Sequence, residues 1–226
     1  MYKLILMTKP QEEQIRLLRN QVNWVIHDSL SFLWLKNGRY HGMIPTICGG
    51  GNLMMANSAL SALNYLGKVN SFLNYGRKKG AEDGVFKELV KDLYVSGLSL
   101  GVDVDDAKEI WRRFRIGLSH MNYPKGAILT HAGLADEKTI FKGNEAVAEA
   151  IENLQDRSFT KMFEASGSGE YIYTFNVEIF IFRDLAKIRE FLVKKINATS
   201  LDKIEKLAKW EEKARINTPF PSLTHK

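Results

Sequence analysis

The chain has 226 residues, 45% of them hydrophobic and 26% charged, with a formal net charge of +6. That length can bury a sizeable core, the composition excludes a disordered chain, and the basic excess is compatible with a polyanionic partner without requiring one. The single cysteine, Cys48, excludes an intrachain disulfide and fits a reducing compartment, so a cytoplasmic location is expected.

The opening MYKLILMTKP has an apolar run broken by Lys3, without the features of a secretory leader. No stretch approaches the roughly 20 apolar residues of a membrane span, so no membrane partner is expected. Ile15, Leu18, Val22, Val25, Ile26 and Leu33 recur at helical spacing and predict a first helix from Gln11 to Lys36, started by Pro10 and ended by Asn37-Gly38. A loop follows, in which Arg39, Tyr40 and His41 could hold a phosphate or a base. Gly49-Gly50-Gly51 lacks a preceding strand and a following GK[ST], so it reads as a loop rather than a phosphate cradle.

A second helix is expected from Asn52 to about Tyr75. Its two apolar stripes, Leu53-Ala56-Leu60-Leu63 and Ala59-Ala62-Leu66-Val69-Leu73, imply burial on two sides. A third covers Asp83 to Val95. A fourth starts near Asp103, with Asp105 and Asp106 at its N-terminus, and runs to about Met121, limited by Tyr123 before Pro124. GAILTH and KTIFKG then read as a hairpin, and residues 145 to 164 as a helix. EYIYTFNV reads as a strand, the segment from Ile181 as a helix, and Ser200 caps a last helix whose inward residues are Leu201, Ile204, Leu207 and Ala208. The expected architecture is mainly α: a helical bundle with a small inserted antiparallel β-sheet. It forms one domain over 1–226, with a β insertion about 126–176 and C-terminal helices about 181–215.

The fourth helix carries the chemistry. At about 100° per residue, Ala107, Ile110, Trp111, Phe114, Leu118 and Met121 share a core face. Asp106, Arg113 and His120 recur on a second face, while Arg115 lies on the other flank, about 140° from His120. A regular helix therefore separates Arg115 from His120, unless the winding changes near Gly117 or a second copy of the chain supplies the arginine.

The stretch RFRIGLSHMNYPKG, with Arg115, four residues and then His120 at a helix end, resembles the signature of the HEPN superfamily, whose members carry Arg, four to six residues, then His. The same stretch is similar to the RCGLxH…PK segment of HEPN-like bacterial proteins. The motif covers six residues, and the architectural likeness extends over residues 11 to 195. The resemblance implies a metal-independent endoribonuclease that works as a homodimer, with RNA as partner and no cofactor. On this model His120 acts as general acid or base on the ribose 2′-hydroxyl and Arg115 binds the scissile phosphate. Arg113, six residues before His120, fits the looser spacing and shares its face. The sequence departs from active members at the residue after the arginine, usually polar: Ile116 follows Arg115 and Phe114 follows Arg113. The alternative implied is a catalytically inactive dimeric interaction or regulatory module with a protein partner.

Blander readings apply to the same residues. Arg113 can pair with Asp106 or Glu109 along the helix, and His120 can cap the helix C-terminus. His27, among apolar neighbours, reads as an interior or interfacial histidine. Tyr171, Tyr173 and Phe175 alternate on a strand and either face the core or stack bases. The absence of HExxH and of Cys-His clusters argues against a metal site. A ligand pocket lined by Trp24, Trp34, Tyr40 and Met54 is a third option.

Overall fold

The computed structural model describes residues 8–36, 50–115, 127–130, 157–163 and 171–216. The helices before the sheet are α1 (Lys9–Lys36), α2 (Gly50–Tyr75), α3 (Glu82–Val95) and α4 (Ala107–Trp111). Three strands follow: β1 (Ala127–Thr130), β2 (Phe159–Phe163) and β3 (Tyr171–Asn176). The chain then continues through α5 (Val177–Ile179), a π-helical turn at Phe180–Asp184, α6 (Leu185–Ala198) and α7 (Leu201–Ile216). It is mainly α with a small sheet, and among the described residues no helix is long and apolar enough to cross a membrane.

Helix α2 is the hub. Ala56, Leu60 and Leu63 on one stripe, and Ala59, Leu66, Val69 and Leu73 on the other, are buried, and the helix touches α1, α3, α6 and α7. Both apolar stripes have to be covered, so a helix patterned this way is stable only with neighbours on both sides. Gly67 lets α3 approach closely: a Cβ there would lie 2.9 Å from Val85 Cγ1. Gly50 and Gly51, expected in a loop, form the first turn of α2 instead. The helix thus begins two residues before the expected Asn52, because nothing in a glycine forbids helical angles.

Polar groups tie the hub to its neighbours. Asp92 Oδ2 accepts hydrogen bonds from Asn70 Nδ2 at 2.8 Å, Asn74 Nδ2 at 2.8 Å and Lys195 Nζ at 2.7 Å, joining α2, α3 and α6. Trp210 of α7 stacks on Phe72, with ring centroids 5.2 Å apart.

The sheet has the order β1-β3-β2. The β2–β3 pair is antiparallel, with Phe159 opposite Phe175 and Lys161 opposite Tyr173, whereas β1 joins β3 in parallel. The helix expected to reach Glu164 is corrected at its end, where FTKMF is strand β2. Pairing to β3 decides this, since a short apolar-polar alternation takes whichever structure its neighbours stabilise. The KTIFKG half of the expected hairpin lies outside the described residues.

Aromatic packing holds this layer. Phe159 and Phe175 stack with centroids 4.4 Å apart at an interplanar angle of 3°. Phe114 of the α4 segment meets both edge-on, at 6.0 and 5.5 Å, and Phe180 meets Phe175 at 5.7 Å. Gly101, at φ +80°, allows the contact that starts β2: a Cβ there would lie 2.2 Å from the Phe159 carbonyl oxygen. After β3, the Asn176 side chain accepts from Ile179 N at 3.2 Å and turns the strand into helix, so the final helical segment begins at Val177 rather than Ile181. In the π turn, Asp184 and Arg183 pair at 2.7 Å with little exposure, and Ser158 Oγ donates to Asp184 Oδ2 at 2.5 Å.

One smaller expectation fails: Leu201 is 43% exposed at the first position of α7, where the core has already ended. His27 is exposed, so of its two expected settings the interior one is excluded.

Candidate functional site

Helix α4 delivers the core face that its periodicity implies: Ala107, Ile110, Trp111 and Phe114 are all buried. The structure differs in how the helix continues. Its start is Ala107 rather than Asp103, and residues 112–115 wind as a wider π-type turn. Such a turn hydrogen-bonds from i to i+5, and single π turns inside α-helices occur frequently at functional sites. Arg113 and Arg115 are among the described residues; His120 lies outside them, as do Ile116, Gly117 and the rest of the motif.

Arg113 is held on three sides. Its Nε donates to Glu109 Oε1 at 2.7 Å, one terminal nitrogen donates to the Tyr171 carbonyl at 2.8 Å, and the guanidinium lies 5.0 Å from the Tyr173 ring centroid. Of the two acids expected as its partner, Glu109 takes the role. Asp106 is occupied differently: it accepts from Lys161 Nζ at 2.8 and 2.9 Å and from Tyr173 Oη at 3.2 Å.

Lys161 and Tyr173 complete a cluster that the sequence does not announce. The Lys161 ammonium lies 4.1 Å from the Tyr171 ring centroid. Its hydrogen bond to Asp106 holds it above the usual lysine range. Burial, with the charge of Asp106, pushes the Tyr173 hydroxyl up. These residues meet because Lys161 and Tyr173 are cross-strand partners, and the β2 segment reads as helix from sequence. The signal that could have found them is the match of two alternating segments, FTKMF and YIYTF. Of the alternating aromatics, Tyr173 and Phe175 face the core and Tyr171 is 46% exposed.

Arg115 leaves the α4 segment on the other flank, toward the start of α3. Burial pushes the Glu82 carboxyl up, but the Asn64 hydrogen bond, Lys68 and the charge of Arg115 together hold it below the usual range. Beside it, the exposed Arg112 pairs with Asp83 at 3.2 Å. The two motif arginines therefore point to different surroundings: Arg113 to the sheet, Arg115 to the α3 N-terminus.

The other expected residues are not gathered here. Trp24 and Met54 are exposed, at 70% and 53%. The side chains of Trp34 and Tyr40, and His41 and Cys48, lie outside the described residues. Among the described residues, no group of three or more His, Cys, Asp or Glu could hold a metal ion. Comparison with known proteins finds no family model, no curated protein and no solved structure that matches the chain.

Proposed function

We propose that the chain is a HEPN-like, RNA-directed protein in which Arg115 and His120 form a metal-independent endoribonuclease site, completed in a homodimer. The observation that supports this is the π-type winding at 112–115. In this reading the winding continues past Arg115; each residue then advances by a smaller angle than in an α-helix, which narrows the separation from His120 that a regular helix imposes. In this reading Arg113 is an anchor, because its donors are directed to Glu109 and the Tyr171 carbonyl. Arg115 carries the phosphate-binding role, where a guanidinium stabilises developing charge, and His120 moves the 2′-hydroxyl proton.

The test is cleavage of a mixed single-stranded RNA in EDTA by the full chain. The expected result is cleavage that falls about a hundredfold or more in His120→Ala and in Arg115→Ala. Equal cleavage by wild type and His120→Ala, both folded, overturns the reading.

One observation favours the second reading, a catalytically inactive interaction module. Trp24 and Met54 present large apolar side chains to solvent on α1 and α2. Large exposed apolar groups mark contact surfaces when they form a patch. No cleavage by wild type, together with a dimer that Trp24→Ala dissociates, selects this reading.

A further inference from the structure

Outside the motif, the densest unneutralised charge lies where α2 turns into α3. Arg77, Lys78 and Lys79 are consecutive and exposed. Among the described residues, none of the three meets a carboxylate in an ion pair. Helix α7 adds to them: Lys203 Nζ donates to the Asn74 carbonyl at 2.6 Å, and Lys203 and Lys206 both pack against Gly76, with Lys206 paired to Asp202 at 2.7 Å.

The loop is displayed rather than loose. Ser71 Oγ accepts from the Lys79 backbone N–H at 2.9 Å and donates to the Arg77 carbonyl at 3.1 Å. Gly76 and Gly80 take positive φ angles of 66° and 89° on either side. Lys79 Nζ sits 4.2 Å from the Tyr75 ring centroid, which fixes its stem across the surface. Capping the negative end of α2 explains Lys203, whose amine meets an end carbonyl. It does not explain Arg77 and Lys78, whose side chains meet no carbonyl of that helix among the described residues.

The basic loop is also joined to the motif. It leads through Gly80 and Ala81 to Glu82, the carboxylate that Lys68 pairs with at 3.5 Å and whose acidity Arg115 strengthens. We infer that Arg77, Lys78 and Lys79, backed by Lys203 and Lys206, are a binding surface for the phosphate backbone of single-stranded RNA that extends away from Arg115. This rests on the RNA-directed reading above and adds where the rest of the strand is held. A rigid row of cations beside a cleavage site binds the backbone without reading its sequence, and does so by releasing counterions.

The test is fluorescence anisotropy of the full chain with an uncleavable 2′-O-methyl oligouridine of about twenty nucleotides, titrated across salt. The triple variant Arg77→Ala, Lys78→Ala, Lys79→Ala is expected to bind about tenfold or more weakly near 0.1 M salt. Its log-log salt slope is expected to be shallower by about 2, because each single-strand phosphate left without its cation removes roughly 0.7. The swap Arg77→Lys, Lys78→Arg, Lys79→Arg keeps wild-type affinity. Lys9→Ala, Lys91→Ala, Lys194→Ala removes as much charge from lysines elsewhere and changes affinity less than about threefold.

Equal weakening by both alanine triples reduces the effect to net charge and overturns the inference, as does unchanged binding by the loop variant. Poly-glutamate that displaces the RNA equally well, charge for charge, overturns RNA as the occupant in favour of an acidic protein. The two proposals fail separately. Normal RNA binding and cleavage with an indifferent loop variant sinks only this one, whereas wild type that neither binds nor cuts RNA sinks the reading beneath it.

Discussion

Helix α2 and strand β3 hold equivalent places, each the middle element of its layer, yet different forces fix them. Around α2 the core is mainly aliphatic, with Phe72 stacked on Trp210, and direction comes from Asp92 collecting hydrogen bonds from Asn70, Asn74 and Lys195. Around β3 the fixing groups are rings: Phe175 meets Phe159, Phe114 and Phe180, contributed by β2, the α4 segment and the π turn. An aliphatic stripe tolerates small shifts of a helix along its neighbour, so the bundle needs a polar clamp to fix register. Stacked and edge-on rings are directional in themselves, so at the sheet they share the fixing with the buried Ser158–Asp184 hydrogen bond.

The largest way to break the contrast is to remove a ring. Phe175 is fully buried, and Phe175→Ala is expected to cost about 3–5 kcal/mol in urea unfolding. Amide hydrogen exchange separates two outcomes. Protection lost only in β2, β3 and α4 marks the sheet layer as its own cooperative unit, while uniform loss makes bundle and sheet a single one.

The same contrast explains what is legible in the sequence. Helices α1, α2, α3 and α7 follow from periodicity, because their apolar stripes are local and recur every turn. The buried set Ala107, Ile110, Trp111 and Phe114 is readable for that reason too. Strand β2 is not, since FTKMF becomes a strand through its pairing with a segment some distance along the chain, and its helix-like neighbourhood outweighs that cue. The site divides the same way. The Glu109–Arg113 contact is an i, i+4 pair and follows from spacing, whereas Asp106–Lys161–Tyr173 depends on β2 and does not. The π-type turn at 112–115 has no periodicity signature within so few residues, so a regular helical projection does not foresee it.

A middle-sized effect tests the clamp. Burial pushes the Asp92 carboxyl up, but hydrogen bonds from Lys195, Asn74 and Asn70, and the charge of Lys195, outweigh it and hold the group below its ordinary value. The unfolded chain then takes up the proton at higher pH than the folded one. The contribution is complete above the unfolded carboxylate value, near pH ~4, and is lost as pH falls through the lower folded value. Asp92→Asn is expected to cost about 1–2 kcal/mol at neutral pH and to flatten the acid limb of the stability curve. A variant whose midpoint falls with acid as steeply as the wild type assigns that limb to other carboxylates.

The smallest effect separates the two motif arginines. Glu109 is partly exposed, and its bond to Arg113 spans one helical turn. Glu109→Gln is expected to cost only about 0.5 kcal/mol, fading near 1 M salt where exposed ion pairs are screened. Arg113 keeps two other holds, the Tyr171 carbonyl and the Tyr173 ring, so its guanidinium stays in place. RNA cleavage in EDTA should therefore change less than about threefold in Glu109→Gln. If Arg113 instead were the phosphate-binding arginine, removing the carboxylate that occupies its Nε would free a donor for the substrate and shift KM rather than stability. A KM change of about tenfold or more with unchanged unfolding would move the proposed phosphate-binding role from Arg115 to Arg113.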